Sequence, residues 1–351
     1  MSERPSFPAR PVFRPWRGVA LPYQPRSLAL LAIATAIGLV LAVITLLTGG
    51  FSISPLEVWT TLWGGSDQVS TLVVVGLRLP RIVACVLVGA ALGVSGGVFQ
   101  GLSRNPLASP DIIGFTSGAA TGVLVLLLVE GAGATMGLSA GAMLGGFGTA
   151  FVVYLLALRR GVHGQRLILV GIGVGAMLSA FNAYLITRAE LEAAQTARIW
   201  LHGSLNGIGW AQVGPLAMWC IVLLPLALLL APRLKLLEMG DDLAKGLGLP
   251  SNRAKLQLIV VSVGLAAAAI AAAGPIGFVA LAAPQLAQRL ARTGGIDLLG
   301  AAAMGAVLML AADLAAQRLL APFQIPVGLV TGAMGGAYLI YLLAREWRKT
   351  D

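Results

Sequence analysis

Charge is what this sequence most lacks: only 11% of its 351 residues are Asp, Glu, Lys or Arg, where soluble globular chains average about 25%. With 58% of residues hydrophobic and a mean hydropathy of +0.88, the polar surface is too small to cover the apolar side chains in water. That excludes a water-soluble domain, and so apolar a chain is not disordered either. Cysteine is limited to Cys85 and Cys220, both inside apolar runs, where a thiol acts as a small hydrophobe; neither a structural disulfide nor a metal site is expected. Aromatic residues reach only 6%, whereas glycine reaches 45 residues, well above the usual ~7%. Helices packed closely through small side chains fit that balance.

What is present is a series of apolar runs. Residues 1–27 form a separate tail with Arg4, Arg10, Arg14, Arg17 and Arg26 among six prolines and no stretch apolar enough for the core of a cleavable signal peptide. It reads as a retained, mostly irregular basic tail ahead of a membrane domain over 28–351. Uncharged runs then cover 28–48, 82–103, 112–129, 134–158, 167–187 and 211–231, each near the ~20 residues needed to span hydrocarbon. The run 256–288 is too long for one helix and contains Gly274-Pro275, so it should split into two crossings. Runs at 298–317 and 325–344 bring the expectation to ten. With both ends in the cytoplasm, ten crossings put 19 of the 24 Lys and Arg inside; a single crossing over 256–288 would leave only 15. The positive-inside rule favours ten.

Glycines four apart, Gly89/Gly93/Gly97/Gly101, Gly137/Gly141/Gly145 and Gly328/Gly332/Gly336, predict close helix contacts in three crossings.

Groups able to do chemistry are few. Asp313 is the one ionisable residue inside an expected crossing, and Gln317 one turn away makes a hydrogen bond the ordinary reading, with a proton relay as the alternative. His163 and His202 fall in loops on opposite sides and cannot share a metal. The segment GDDLAKG, Gly240 to Gly246, lacks the phosphate-loop pattern; no nucleophile with a base and orienting group is visible, so no catalytic residue is expected. The polar insertion 233–255 places Glu238, Asp241 and Asp242 ahead of Lys245, Arg253 and Lys255, the charge order of a short helix, and reads either as a surface loop or as a two-helix docking platform. Arg78, Arg81 and Arg318 fall outside, against the charge bias; they read either as snorkelling side chains or as a basic rim for a carboxylate-bearing partner or an anionic solute.

The stretch LRLPRIVACVLVGAALGVSGGVFQGLSRNPLASPDIIGFTSGA, Leu77 to Ala119, closely resembles permease subunits of type II ABC importers for iron siderophores, haem and cobalamin. The likeness continues in IWLHGSLNGIGW, LLEMGDDLAKGLGL, AGPIGFVALAAP and IPVG. GFTSGAATGVL, RLILVGIGVGAMLSAFNAYLI, GSLNG and GGAYLIYLL look most like the G-type subunits of ferric enterobactin permeases. The resemblance implies an all-α polytopic protein of BtuC-like permease fold in a bacterial inner membrane. It would move a ferric siderophore of the catecholate type, with haem or cobalamin as alternative cargo and an ion-coupled carrier as a distant one. Its implied partners are an ATPase dimer, a second permease subunit, a periplasmic or lipid-anchored siderophore-binding protein and membrane lipid. No nucleic acid, cofactor or metal is implied.

By position, the resemblance implies binding-protein docking at Arg78, Arg81 and Arg318. It implies ATPase coupling through Glu238, Gly240, Asp241, Asp242, Ala244, Leu247 and Gly248. Gates would lie at Asn105 with Leu107 and at Gly164 with Gln165. Ser95, Gln100, Ser179 and Asn182 are the neutral polar residues expected to line the path. One departure stands out: where these permeases usually carry Pro-His-Ile-Ala-Arg, this chain has Pro284, Gln285, Leu286, Ala287, Gln288 and Arg289.

Overall fold

The computed structural model describes residues 12–16, 19–22, 25–49, 51, 53–65, 67–111, 114–130, 137–157, 164–321 and 323–350. In the tail, β1 (Val12–Trp16) and β2 (Val19–Pro22) pair as an antiparallel hairpin, where the sequence led us to expect mostly irregular chain. Every other described element is helical. They are α1 (Pro25–Leu47), α2 (Pro55–Leu62), α3 (Gln68–Thr71), a π-helical segment (Leu72–Arg78), α4 (Leu79–Ser103), α5 (Phe115–Glu130), α6 (Gly137–Ala157) and α7 (Gly164–Arg188). They continue as α8 (Leu191–Leu201), α9 (Trp210–Glu238), α10 (Asp241–Gly246), α11 (Ser251–Ala273), α12 (Val279–Ala291), α13 (Leu298–Arg318) and α14 (Val327–Thr350).

Among the described residues, seven helical stretches are long and apolar enough to cross a membrane, and α5 and α14 supply two shorter apolar ones. The remaining expected crossing falls on α12, whose 13 residues rise only about 20 Å, short of the ~30 Å hydrocarbon core; the irregular stretch 274–278 leads into it. Here the expected break is confirmed: α11 ends at Ala273, Gly274 takes φ +71, and Pro275 follows. Irregular backbone at membrane depth needs protein partners, and it has them. Ser204 N–H donates to Ala273 C=O at 2.8 Å at the edge of the break, and Gly203 lies so close that a Cβ there would fall 2.2 Å from Pro275 C=O.

α4 is the axis of the bundle, buried along nearly its whole length, with α9, α11, α12 and α13 packed around it. Glycine makes this possible. A Cβ on Gly89 would lie 2.3 Å from Gly305 C=O, one on Gly93 2.3 Å from Ala301 C=O, and one on Gly96 1.7 Å from Ala280 C=O. α5 and α6 meet in the same way, through Gly118 and Gly122 against Gly141 and Gly145. The third expected stripe is only partly used within the chain: Gly328 abuts His202 C=O, but Gly332 and Gly336 face open space.

Gly96→Ala is expected to destabilise the protein by about 3 kcal/mol, because the methyl group drives backbone from backbone. Gly148, with no atom near its would-be Cβ, should accept alanine with no loss, and thermal unfolding of the two detergent-solubilised variants checks the contrast.

Candidate functional site

At the end of the bundle where α4 begins, Asp313 of α13 is 1% exposed and pairs with Arg81 at 2.9 Å. Arg81 Nε donates to both carboxylate oxygens, at 3.1 and 2.9 Å, and Gln317 Nε2 donates to Oδ2 at 2.7 Å. The rest of the guanidinium reaches Gln324 Oε1 at 3.2 Å and Asn206 Oδ1 at 2.9 Å. The bond to Gln317 is the one the sequence pointed to, and Arg81 is the partner it did not supply. Both carboxylate oxygens are engaged by Arg81 and Gln317, the arrangement of a structural tie between helices. Arg78 is likewise turned inward: it donates to the carbonyls of Leu46 and Phe51, just where α1 ends and leaves acceptors without helical donors. The π segment that Arg78 closes leaves Val75 C=O to accept from Trp210 Nε1 at 2.9 Å. The three arginines therefore do not form one open basic rim: only Arg318 is exposed, while Arg78 and Arg81 hold helix and loop ends together.

At the opposite end, α4 stops at Arg104 in the left-handed region with φ 51. The loop that follows is an Asx turn in which Leu107 N–H donates to Asn105 Oδ1 at 2.9 Å and Asn105 N–H to Gln100 C=O at 3.2 Å. Asn105 and Leu107 are exposed, whereas Ala108 and Ser109 are buried. Gln285, 4% exposed on α12, donates Nε2 to Pro106 C=O, and Gln100 donates back to Leu281 C=O of α12 at 2.9 Å. Two glutamines thus tie the loop and the end of α4 to one helix. Asp111 closes the loop by accepting from the Thr116 hydroxyl at 2.7 Å; desolvation raises its pKa and that donation opposes the rise. The second expected gate pair, Gly164 and Gln165, opens α7, and their side chains lie outside the described residues.

Three of the four residues expected to line the path, Ser95, Gln100 and Asn182, are buried within this chain. Ser95 is fully buried between α4 and α11, bonded to the carbonyl and hydroxyl of Ser262 at 2.9 Å, and Gln100 is engaged with α12. Both tie neighbouring helices together. Ser179 is exposed on α7 and meets the Ser117 hydroxyl at 3.0 Å, while Asn182 accepts from Thr121 at 2.7 Å and donates to Ser117 C=O at 3.0 Å. Type alone could not separate exposed Ser179 from the three buried residues, since a polar residue in a membrane helix serves either use.

Between α9 and α11 sits the short helix α10, entered through Gly240 at φ +116 and left through Gly248 at φ +82. Asp241 accepts from Lys255 Nζ at 2.6 Å and Glu238 accepts from Ile296 N–H at 3.2 Å. Ala244 is buried. Glu238, Asp241 and Ala244 therefore anchor the platform. Its outer face is Asp242, Leu247 and two residues the sequence reading missed, Met239 and Leu243; the three apolar ones are 58–64% exposed. Their signal was apolar residues recurring at helical spacing inside an otherwise polar insertion.

Comparison with known proteins places these features in context. A model of the FecCD transport family matches residues 36–345. The chain is 49% identical to the ferric enterobactin transport system permease protein of Escherichia coli, over 86% of this chain and 91% of that one. It is 36% identical to the hemin transport system permease protein of Yersinia pestis, over 85% and 90%. A solved metal-chelate type ABC transporter in an inward-facing conformation superposes with a TM-score of 0.81 at 31% identity, covering 90% of this chain and 99% of that one.

Two outcomes follow from the geometry. Asp313→Ala strands a buried guanidinium and is expected to cost about 3–5 kcal/mol in unfolding free energy; Asp313→Leu combined with Arg81→Met should cost less. Gln285→Leu removes a bond of net ~1 kcal/mol and should speed amide hydrogen exchange over residues 105–109 about fivefold, with Gln285→His restoring protection because an imidazole N–H can donate to the same carbonyl.

Proposed function

The chain belongs to the FecCD transport family, and from that premise we propose that its cargo is a ferric siderophore of the catecholate type. It is the membrane-spanning permease subunit of an ATP-binding-cassette importer; nucleotide hydrolysis belongs to a separate subunit. The observation that carries the cargo reading is the 49% identity to an enterobactin permease along nearly the full length of both chains.

The mechanism follows from what the bundle holds and lacks. Asp313, the one carboxylate inside a crossing that the sequence offered to ion coupling, is neutralised by Arg81, so driving force must arrive from outside the helices. The face of α10 supports coupling to the ATPase. Met239, Leu243 and Leu247 present apolar surface in a polar segment, and the Asp241–Lys255 pair fixes that surface to α11. The loop carrying Asn105 and Leu107 lies at the same end, which suits a gate operated by the same push. At the other end Arg318, with whatever surface the tied Arg78 and Arg81 hold in shape, receives the binding protein. Arg78 and Arg81 act there by positioning loops rather than by offering free charge.

α7 is largely exposed along the face bearing Leu169, Met177 and Tyr184. We assign that face, with Ser179, to the wall shared with a second permease subunit in a heterodimer. The charge bias of the loops supports both termini lying in the cytoplasm.

Reconstituted with its ATPase, partner permease and binding protein, the complex should import labelled ferric enterobactin in an ATP-dependent manner, at least about tenfold faster than haem or cobalamin. Faster haem or cobalamin import would refute the cargo reading. Leu243→Asp with Leu247→Asp should abolish transport while leaving the folded permease intact; undiminished transport would refute the platform reading.

A further inference from the structure

A groove of about 570 Å³ runs along the membrane-facing side of the bundle between α1, α12 and α13. Its floor is a small apolar cluster in which Leu30 packs on Ala287, Ala291 and Met304. Ile33, Ile37 and Leu290 form exposed walls, at 60%, 46% and 63%. One end is different in kind: Arg26, at the first turn of α1, and Arg292, in the left-handed turn that ends α12, both border it and both are exposed. No described carboxylate forms an ion pair with either. From Arg26 to Ile37 the helix rises about 16 Å, close to the ~15 Å of one leaflet's hydrocarbon.

We propose that this groove is a binding site for an anionic glycerophospholipid, its phosphate held between Arg26 and Arg292 and one acyl chain lying on the Leu30–Met304 floor. Paired guanidinium groups match a phosphate oxygen edge by bidentate donation. A zwitterionic lipid carries its own ammonium beside the phosphate and leaves the two arginine charges uncompensated. The basic tail is disfavoured as occupant because Arg4, Arg10, Arg14 and Arg17 would meet like charge. A bound lipid would hold α1 to α12, the helix that also carries Gln285 and the acceptor of Gln100, and so would brace the gate-side helix from the membrane side. The proposal does not depend on the identity of the cargo.

The test uses the assembled transporter in nanodiscs of equal phosphatidylglycerol and phosphatidylcholine, with lipid retained on release read by native mass spectrometry. The wild type should retain phosphatidylglycerol over phosphatidylcholine by about tenfold, and Arg26→Gln with Arg292→Gln should erase the preference. Arg26→Lys with Arg292→Lys should keep much of it. Ile33→Trp, a change at an exposed wall that fills the groove without touching charge, should lower retention of both lipids. Equal retention by the wild type would overturn the site, as would a preference surviving in the glutamine variant. Displacement of the lipid by inorganic phosphate would mark a free-anion site instead.

Discussion

The structure depends on how closely other helices can approach α4. In hydrocarbon there is no gain from removing apolar surface from lipid, so helices associate through dispersion contact and through whatever polar bonds close approach permits. At Gly89, Gly93 and Gly96 the backbones of α13 and α12 come so near that no side chain fits between them. That contact brings polar groups of α4 within reach of neighbouring carbonyls and carboxylates. Without it, Gln100 could not reach Leu281, and Arg81 could not meet Asp313.

Those bonds are distributed in a way that suits a conduit. At one end of α4 the Arg81 guanidinium gathers a carboxylate and two loop amides; at the other, two glutamines gather a loop and a helix. The middle is close-packed through small residues, with the Ser95–Ser262 pair as its polar tie. An ion-coupled carrier would keep a titratable group where cargo passes, and here the buried acid is already paired. What the bundle supplies is shape held by fixed ends, and nucleotide hydrolysis belongs to a separate subunit.

The sequence made the crossings legible because length and apolarity are one-dimensional properties. The break at Gly274-Pro275 could be read because proline and glycine mark it locally, and the charge bias then decided between two topologies. Partnership could not be read. Arg81 and Asp313 stand 232 positions apart, and nothing in either run names the other. Ser95 and Gln100 looked like path residues because residue type reports polarity, not which neighbour a helix face meets. The apolar residues of α10 were present in the sequence, but attention to its charges hid them; burial then showed that Glu238 and Asp241 face inward, leaving Met239 and Leu243 outside.

The same anchoring determines how force at α10 would spread. Its entrance is fixed by Glu238, which grips Ile296 N–H in the turn before α13, and its first turn by Asp241, which grips Lys255 in α11. A displacement of the short helix is therefore delivered to α9, α11 and the start of α13 together, not absorbed in a flexible loop. α11 reaches the break at Gly274, and beyond it α12 carries the bonds to Pro106 and to Gln100. The loop carrying Asn105 and Leu107, the proposed gate, thus lies at the end of a chain of short, geometrically fixed contacts beginning at the exposed apolar face. Glycine hinges at Gly240 and Gly248 leave α10 free to tilt, while the two carboxylates keep the tilt from being lost.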